Sequence, residues 1–271
     1  MIKDDFHVHT LFSGDGKAPM EDVVTYGISK GLDSICFTEH NDFGFPGFPD
    51  CPKDTFLLNP DSYLYDLLMM REKYGMRIKI LFGIEIGLQP DVARENEILA
   101  SSYDFDFIIG STHLVKKRDP YYPTFYEGRS EGDALNEYFE EVLRNAKENN
   151  FYDVLGHLDY IVRYAPTKDQ NYHADDYKDV IDEILKSLIS RGKGIEVNSS
   201  PLRKGLSMPN PCEWILKRYK ELGGEIITVG SDSHMGTDLA ADFDKVDELL
   251  KKVGFNYISI FHKRNPSFKR I

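Results

Sequence analysis

Cysteine is scarce in this chain. Cys36, Cys51 and Cys212 are an odd set without Cys-x-x-Cys spacing, which excludes a disulfide framework and points to a reducing compartment. No apolar run approaches the ~20 residues that span a bilayer, so no membrane partner is expected. The opening Met-Ile-Lys-Asp-Asp lacks the apolar core of a signal peptide, and the expected location is cytoplasmic. No Pro/Gly/Ser-rich linker or low-complexity tract interrupts the sequence, so residues 1–271 read as one domain. Cations are the minority: 33 Lys and Arg face 45 Asp and Glu, a formal net charge of −12. Nucleic-acid surfaces require clustered Lys and Arg, so no nucleic-acid partner is expected. Lys116-Lys117-Arg118 and Lys263-Arg264 read as solvated loop and terminus.

What the chain does have is a repeated strand ending. Seven apolar, strand-like runs close on residues of types that can bind a metal: His7 and His9, His40, Glu85, His113, His157, Glu196, and Asp232 with His234. Six of the eight histidines fall at these places, a clustering that points to a polynuclear site built from many strand ends. Residues two apart on a strand share a face, so His7 and His9 look the same way, with Phe6 and Val8 expected on the other side. His173 and His262 lie outside the pattern and read as ordinary exposed histidines.

Between the strands the apolar spacing changes to a helical one. Leu135, Tyr138, Phe139, Val142, Leu143 and Ala146 form one stripe, and Tyr177, Val180, Ile181, Ile184, Leu185, Leu188 and Ile189 another. Further stripes lie at Tyr63–Tyr74, Trp214–Leu222 and Leu239–Val253, with helix starts after Pro19 and near Asp91. The expected strands are Ile2–His9, Ser34–His40, Ile78–Leu88, Phe105–Leu114, Val154–Ile161, Gly194–Ser199 and Ile226–Asp232, with Asn256–Phe261 as a short extra one. Strand–helix alternation implies a parallel sheet with outer helices. Closure into a barrel brings the C-terminal ends of all strands around one mouth, where His9 and Asp232 are expected within about 10 Å as ligands of one ion.

The ordered set His7-Val8-His9, Thr38-Glu39-His40, Gly83-Ile84-Glu85, Gly110-Ser111-Thr112-His113, Gly156-His157-Leu158-Asp159, Glu196-Val197-Asn198 and Gly230-Ser231-Asp232-Ser233-His234 resembles the PHP (polymerase and histidinol phosphatase) superfamily. Within it the chain is similar to the monofunctional histidinol-phosphate phosphatases, along essentially its whole length. The resemblance implies a distorted (β/α)7 barrel with three divalent metal ions. On that pattern His7, His9, Glu85 and Asp232 hold the first ion, and Glu85 bridges to a second held by His113 and His157. Asp15, His40 and His234 hold the third. Glu39 and Glu196 are expected to orient ligating imidazoles, and Asp159 to do the same or to donate a proton.

Imidazole and carboxylate ligands without thiolate suit zinc, iron and manganese, whereas calcium prefers an all-oxygen shell. Three divalent ions carry six positive charges against the three carboxylates Asp15, Glu85 and Asp232, which gives a cationic floor in an anionic globule. Phosphate-ester hydrolysis fits such a centre, with catalytic roles for Glu85, Asp232 and His234 beside Asp159. Arg163 and Arg203 follow ligand-bearing strands, and the resemblance implies that they hold the substrate phosphate. The long segments Asn41–Asn59 and Lys116–Arg129 read as lids over the mouth. The expected substrate is a small phosphate ester, L-histidinol phosphate, in histidine biosynthesis. Two other readings are a phosphoesterase acting on another ester such as a nucleotide, and a non-catalytic metal-binding module.

Overall fold

The apolar runs become strands buried on both faces, as a parallel sheet under a layer of helices requires; all eight residues of Ser34–Asn41 are buried. The computed structural model describes residues 1–271. Its sheet consists of β1 (Asp4–Val8), β2 (Ser34–Asn41), β3 (Lys79–Gly87), β4 (Phe107–Ser111), β5 (Val154–Leu155), β6 (Gly194–Asn198) and β7 (Ile227–Gly230). Each strand pairs in parallel with the next in chain order. The outer helices are α1 (Met20–Lys30), α2 (Pro60–Tyr74), α3 (Ala93–Ser102), α4 (Glu131–Glu148), α5 (Lys178–Ser190), the single turn α6 (Ser200–Arg203), α7 (Glu213–Glu221) and α8 (Phe243–Val253). No helix is long and apolar enough to cross a membrane.

Local chemistry sets several boundaries. The Ser130 hydroxyl accepts the Asp133 amide at 3.0 Å to cap α4, and the Asn59 side chain accepts the Ser62 amide at 3.1 Å to cap α2, each satisfying an otherwise unpaired donor. The stripe expected to begin at Leu239 becomes helical only from Phe243. Ala240 and Asp242 sit at φ 51° and 59°, in the left-handed region that a right-handed helix excludes. The fifth strand is far shorter than Val154–Ile161, because the chain turns into a 3-10 helix at Tyr160–Arg163.

Two further expectations are corrected by packing. Phe6 lies inside the barrel with Cys36, Leu81, Phe107, Ile109 and Val154, on the same interior as the ligands. The register of β1 against β2 shifts between Asp5 and Val8, and a bulge of this kind breaks strict alternation. The segment after α8 does not join the barrel. It forms β8 (Tyr257–His262), which pairs antiparallel with β9 (Asn265–Arg270). The turn residues Lys263 and Arg264 have φ 48° and 63°, as a two-residue hairpin demands. Arg264 is no solvated terminus: its Nε donates to Asp153 at 2.5 Å, and the Lys263 amide donates to Asp106 at 3.0 Å. Asp106 and Asp153 sit at the starts of β4 and β5, so Phe261 plugs the N-terminal end of the barrel.

Between β7 and β1 the barrel is closed by a few specific bonds. The Asp232 amide donates to the His7 carbonyl and the His9 amide to the Ser233 carbonyl, both at 2.8 Å. Lower on the seam the buried Asp5 carboxylate accepts the Ser231 amide at 2.9 Å, the Ser231 hydroxyl at 2.5 Å and the Ala240 amide at 2.8 Å. The His7 amide reaches the same carboxylate at 3.3 Å, so removing it leaves four donors without their partner. Asp5→Ala is therefore expected to lower unfolding stability by about 2–4 kcal/mol, measured as a shift of the urea midpoint at constant slope. A midpoint equal to wild type refutes this account of the seam.

Candidate metal centre

All the proposed ligands except Asp15, which lies in the loop between β1 and α1, stand on or just beyond the C-terminal ends of strands, because a parallel barrel directs those ends to one mouth. Glu85, on β3, is central. Its Oε2 lies 3.2 Å from His7 Nε2, 3.5 Å from His9 Nε2 and 2.9 Å from His40 Nδ1. Its Oε1 lies 3.2 Å from His113 Nε2 and 3.0 Å from His157 Nε2. Asp232 Oδ1 completes the first group, at 3.8 Å from His7 Nε2 and 3.6 Å from His9 Nε2. Ligands about 2.0–2.1 Å from a tetrahedral ion are separated by about 3.3–3.4 Å, and these separations cluster around that value. His7 Nε2, His9 Nε2, His40 Nδ1 and Glu85 Oε2 are buried and form no hydrogen bond although they converge. Atoms directed at a common centre, rather than at one another, behave this way.

The third group is Asp15, His40 and His234. Asp15 Oδ2 lies 3.0 Å from His234 Nε2, and its Oδ1 lies 3.7 Å from His40 Nε2. His40 thus faces Glu85 with one nitrogen and Asp15 with the other, and its ring stacks on His9 at 4.1 Å. It sits between these two carboxylates instead of on one side of the cluster. Burial disfavours a charged imidazole, yet Glu85 and Asp15 raise the His40 pKa to about 9. Burial likewise opposes ionisation of Asp15, but His40 and His234 bring its carboxyl down to about 2. Burial and the neighbouring His40, His234 and His7 drive His9 well below its usual value. The cluster favours ionised carboxylates with compensating positive charge between them, which divalent cations supply while displacing imidazole protons.

The outer nitrogens are held from behind. His7 Nδ1 lies 2.5 Å from Glu196 Oε1, and the other oxygen of Glu196 accepts the His157 amide at 2.8 Å. His9 Nδ1 lies 3.0 Å from the Ser13 hydroxyl, which donates to Glu39 at 2.6 Å. Asp42 takes the same part for His113, 3.0 Å from its Nδ1. Such partners fix the proton on one nitrogen and aim the other inward. Asp42 was missed by sequence reasoning; its signal was an acidic residue two positions beyond a strand-end histidine. Gly230 provides the clearance: a Cβ there would stand 2.3 Å from His7 Cβ and 2.5 Å from Glu196 Oε1. Asp232 itself has φ 52°, a strained conformation held by its partners.

A cavity opens over this cluster, lined by Asp15, His40, Asp42, His113, His157, Asp232 and His234. Arg163 joins them, buried, with Nη1 donating to Asp232 Oδ2 at 2.8 Å and Nη2 without a partner. The other walls are Phe45, Phe56, Asp119, Tyr160, Tyr164 and Lys204. Both expected lid segments contribute, through Phe45 and Phe56 on one side and Asp119 on the other. They also meet each other, since Phe48 stacks on Tyr122 at 4.3 Å. Burial pushes the Asp119 carboxyl up to about 6. His7, His9 and Glu85 lie beneath the lining, and two residues expected to meet substrate, Arg203 and Asp159, do not line the cavity either. Arg203 donates to the Ser231 carbonyl at 2.6 Å, while Lys204 beside it faces the cavity. Asp159 accepts from Asn210 at 2.7 Å and from the Cys212 amide at 3.0 Å. His173 and His262 are exposed.

A PHP domain model matches residues 5–200. Over 260 residues the chain is 34% identical to a probable histidinol-phosphatase of Clostridium acetobutylicum, covering 96% of this chain and 97% of that one. It is 33% identical over 265 residues to a histidinol-phosphatase of Lactococcus lactis, covering 96% and 95% respectively. The crystal structure of histidinol phosphate phosphatase from Lactococcus lactis, complexed with Zn, L-histidinol and phosphate, superposes with a TM-score of 0.87 at 31% identity, covering 98% of both chains. With similarity of this extent from end to end, the chain belongs to the PHP family, among the histidinol-phosphatases.

Proposed function

We propose that this protein hydrolyses L-histidinol phosphate to L-histidinol and inorganic phosphate at a centre of three divalent metal ions. The reading rests chiefly on one juxtaposition: a single cavity holds the imidazole–carboxylate cluster, the unpaired Nη2 of Arg163 and the carboxylate of Asp119. The substrate pairs an anionic phosphate with a cationic amine and a partly cationic imidazole, so a cationic floor and an acidic, aromatic wall complement its two ends. Zinc, iron or manganese in such a cluster lower the pKa of bound water and stabilise the attacking and leaving oxygens of an in-line displacement at phosphorus.

The side chains have separate parts in this proposal. His7, His9, Glu85 and Asp232 hold the first ion, His113 and His157 with Glu85 the second, and Asp15, His40 and His234 the third. Arg163 holds phosphate oxygens through Nη2 while Nη1 keeps Asp232 in place. Asp119 receives a positive group of the substrate, and Tyr160, Tyr164, Phe45 and Phe56 exclude water from its carbon skeleton. We assign residues 1–271 to one catalytic unit, since Phe261 near the chain's end fills the base of the barrel. The three free cysteines suit a reducing cytoplasm.

Three measurements test the proposal. L-histidinol phosphate should exceed p-nitrophenyl phosphate and nucleotides in kcat/KM by about a hundredfold or more, ~2.7 kcal/mol of discrimination; a flat profile or a nucleotide preference refutes the assignment. Glu85→Gln should abolish turnover and lower the metal-to-protein ratio, because one charged carboxylate faces two ligand groups. Full metal content with normal turnover would remove Glu85 from its bridging part. Arg163→Ala should lower kcat/KM by roughly ten- to a hundredfold, from a charge-assisted contact of about 1.5–3 kcal/mol. Metal content should persist, since Asn198 and Ser200 still reach Asp232 Oδ2, each at 3.3 Å. Wild-type kinetics in this variant would leave phosphate binding to metals and backbone.

A further inference from the structure

Behind Arg163 runs a chain of side-chain hydrogen bonds. Arg163 Nε donates to Asn210 Oδ1 at 2.7 Å, and Asn210 Nδ2 donates to Asp159 Oδ1 at 2.7 Å. Asp159 Oδ2 in turn accepts the Cys212 amide at 3.0 Å. Asn210 is buried and does not line the cavity, so it is not placed to meet a molecule bound there. Its backbone is held independently: the Asn198 amide donates to the Asn210 carbonyl at 2.7 Å, and the Asn210 amide returns a bond to Asn198 at 3.0 Å. The side chain can therefore change while the chain around it stays tied to the end of β6.

A guanidinium is planar and its three nitrogens are rigidly related. Fixing two of them fixes the direction of the third. In Arg163, Nε is fixed by Asn210 and Nη1 by Asp232 Oδ2, while Nη2 is buried and has no partner. With Tyr160 only 5.2 Å from the guanidinium carbon on one face, the Nη1 contact alone fixes one edge of the plane and leaves the direction of Nη2 less restrained. The Nε contact removes that freedom.

We infer that Asn210 is a positioning residue, which with Asp159 behind it orients the Arg163 guanidinium so that Nη2 meets the substrate phosphate while Nη1 holds Asp232. The choice of an amide is physically apt. Arg163 already faces one carboxylate, and a second against Nε would neutralise the charge offered to phosphate. An amide also supplies both polarities, accepting from Arg163 and donating to Asp159. Asp159 acts here as the fixed end of the relay, two bonds removed from the guanidinium. This inference rests on Arg163 being the phosphate-binding arginine.

The test is a double-mutant cycle on metal-loaded protein with Asn210→Ala, Arg163→Ala and the double variant. The readouts are kcat and KM for L-histidinol phosphate, inhibition by inorganic phosphate, and metal content. Asn210→Ala should lower kcat/KM about tenfold and weaken phosphate inhibition by a similar factor, with metal content unchanged. In the Arg163→Ala background the same substitution should change both by less than twofold. Losses that multiply in the double variant, or an Asn210→Ala protein with wild-type phosphate inhibition beside an impaired Arg163→Ala protein, overturn the inference. An Arg163→Ala protein that is itself wild type in both readouts overturns the phosphate assignment and the inference with it, and so is told apart. Should Asn210→Ala not fold, Asp159→Ala enters the same cycle: a smaller loss that vanishes in the Arg163→Ala background supports the relay, and a loss that persists there refutes it.

Discussion

Five imidazoles converge on one buried carboxylate. Glu85 divides its oxygens between His7, His9 and His40 on one side and His113 and His157 on the other. A carboxylate with no solvent exposure is costly to ionise unless positive charge surrounds it, and here its pKa falls well below the ordinary range because burial is outweighed by His7, His40 and His113. This electrostatic requirement explains the layers around it. Each layer either supplies positive charge, or holds the groups that do.

The second layer is made of carboxylates as well. Glu196, Glu39 through Ser13, and Asp42 sit behind His7, His9 and His113. A buried histidine has two nitrogens and only one can aim at an ion, so the other needs a partner that accepts its proton. Asp232 is treated differently. One oxygen faces His7 and His9, while Arg163, Asn198 and Ser200 occupy the other. The same arginine thereby couples the metal cluster to the cavity wall.

Beneath the polar layer the barrel interior turns apolar, and the two demands meet on the same strands. Phe6, Cys36, Leu81 and Phe107 fill the N-terminal half, with Phe261 from the hairpin beneath them. The bulge in β1 lets Phe6 and His7 belong to these two layers although they are adjacent in sequence. Because β1 and β7 share no regular ladder, Asp5 carries much of the closure that brings Asp232 back beside His7.

The order of strands and helices, the helical stripes and the ligand-type residue at the close of each apolar run are local properties, and the sequence determined them by itself, although not the end of β5 or the start of α8. Alternation with period two and period 3.6 reports which face is apolar, and a parallel α/β order leaves few arrangements for the faces to be buried. The partners of an atom are not local in this sense. Whether Arg163 or Arg203 faces the cavity depends on how a short 3-10 helix and a one-turn α6 sit against the rim, and one residue of difference brings Lys204 there in place of Arg203. Asp42 behind His113, Asn210 behind Arg163 and Arg264 on Asp153 pair residues from 47 to 111 positions apart. Only closure of the barrel decides such pairs, because the free energy that selects them comes from burying both groups together.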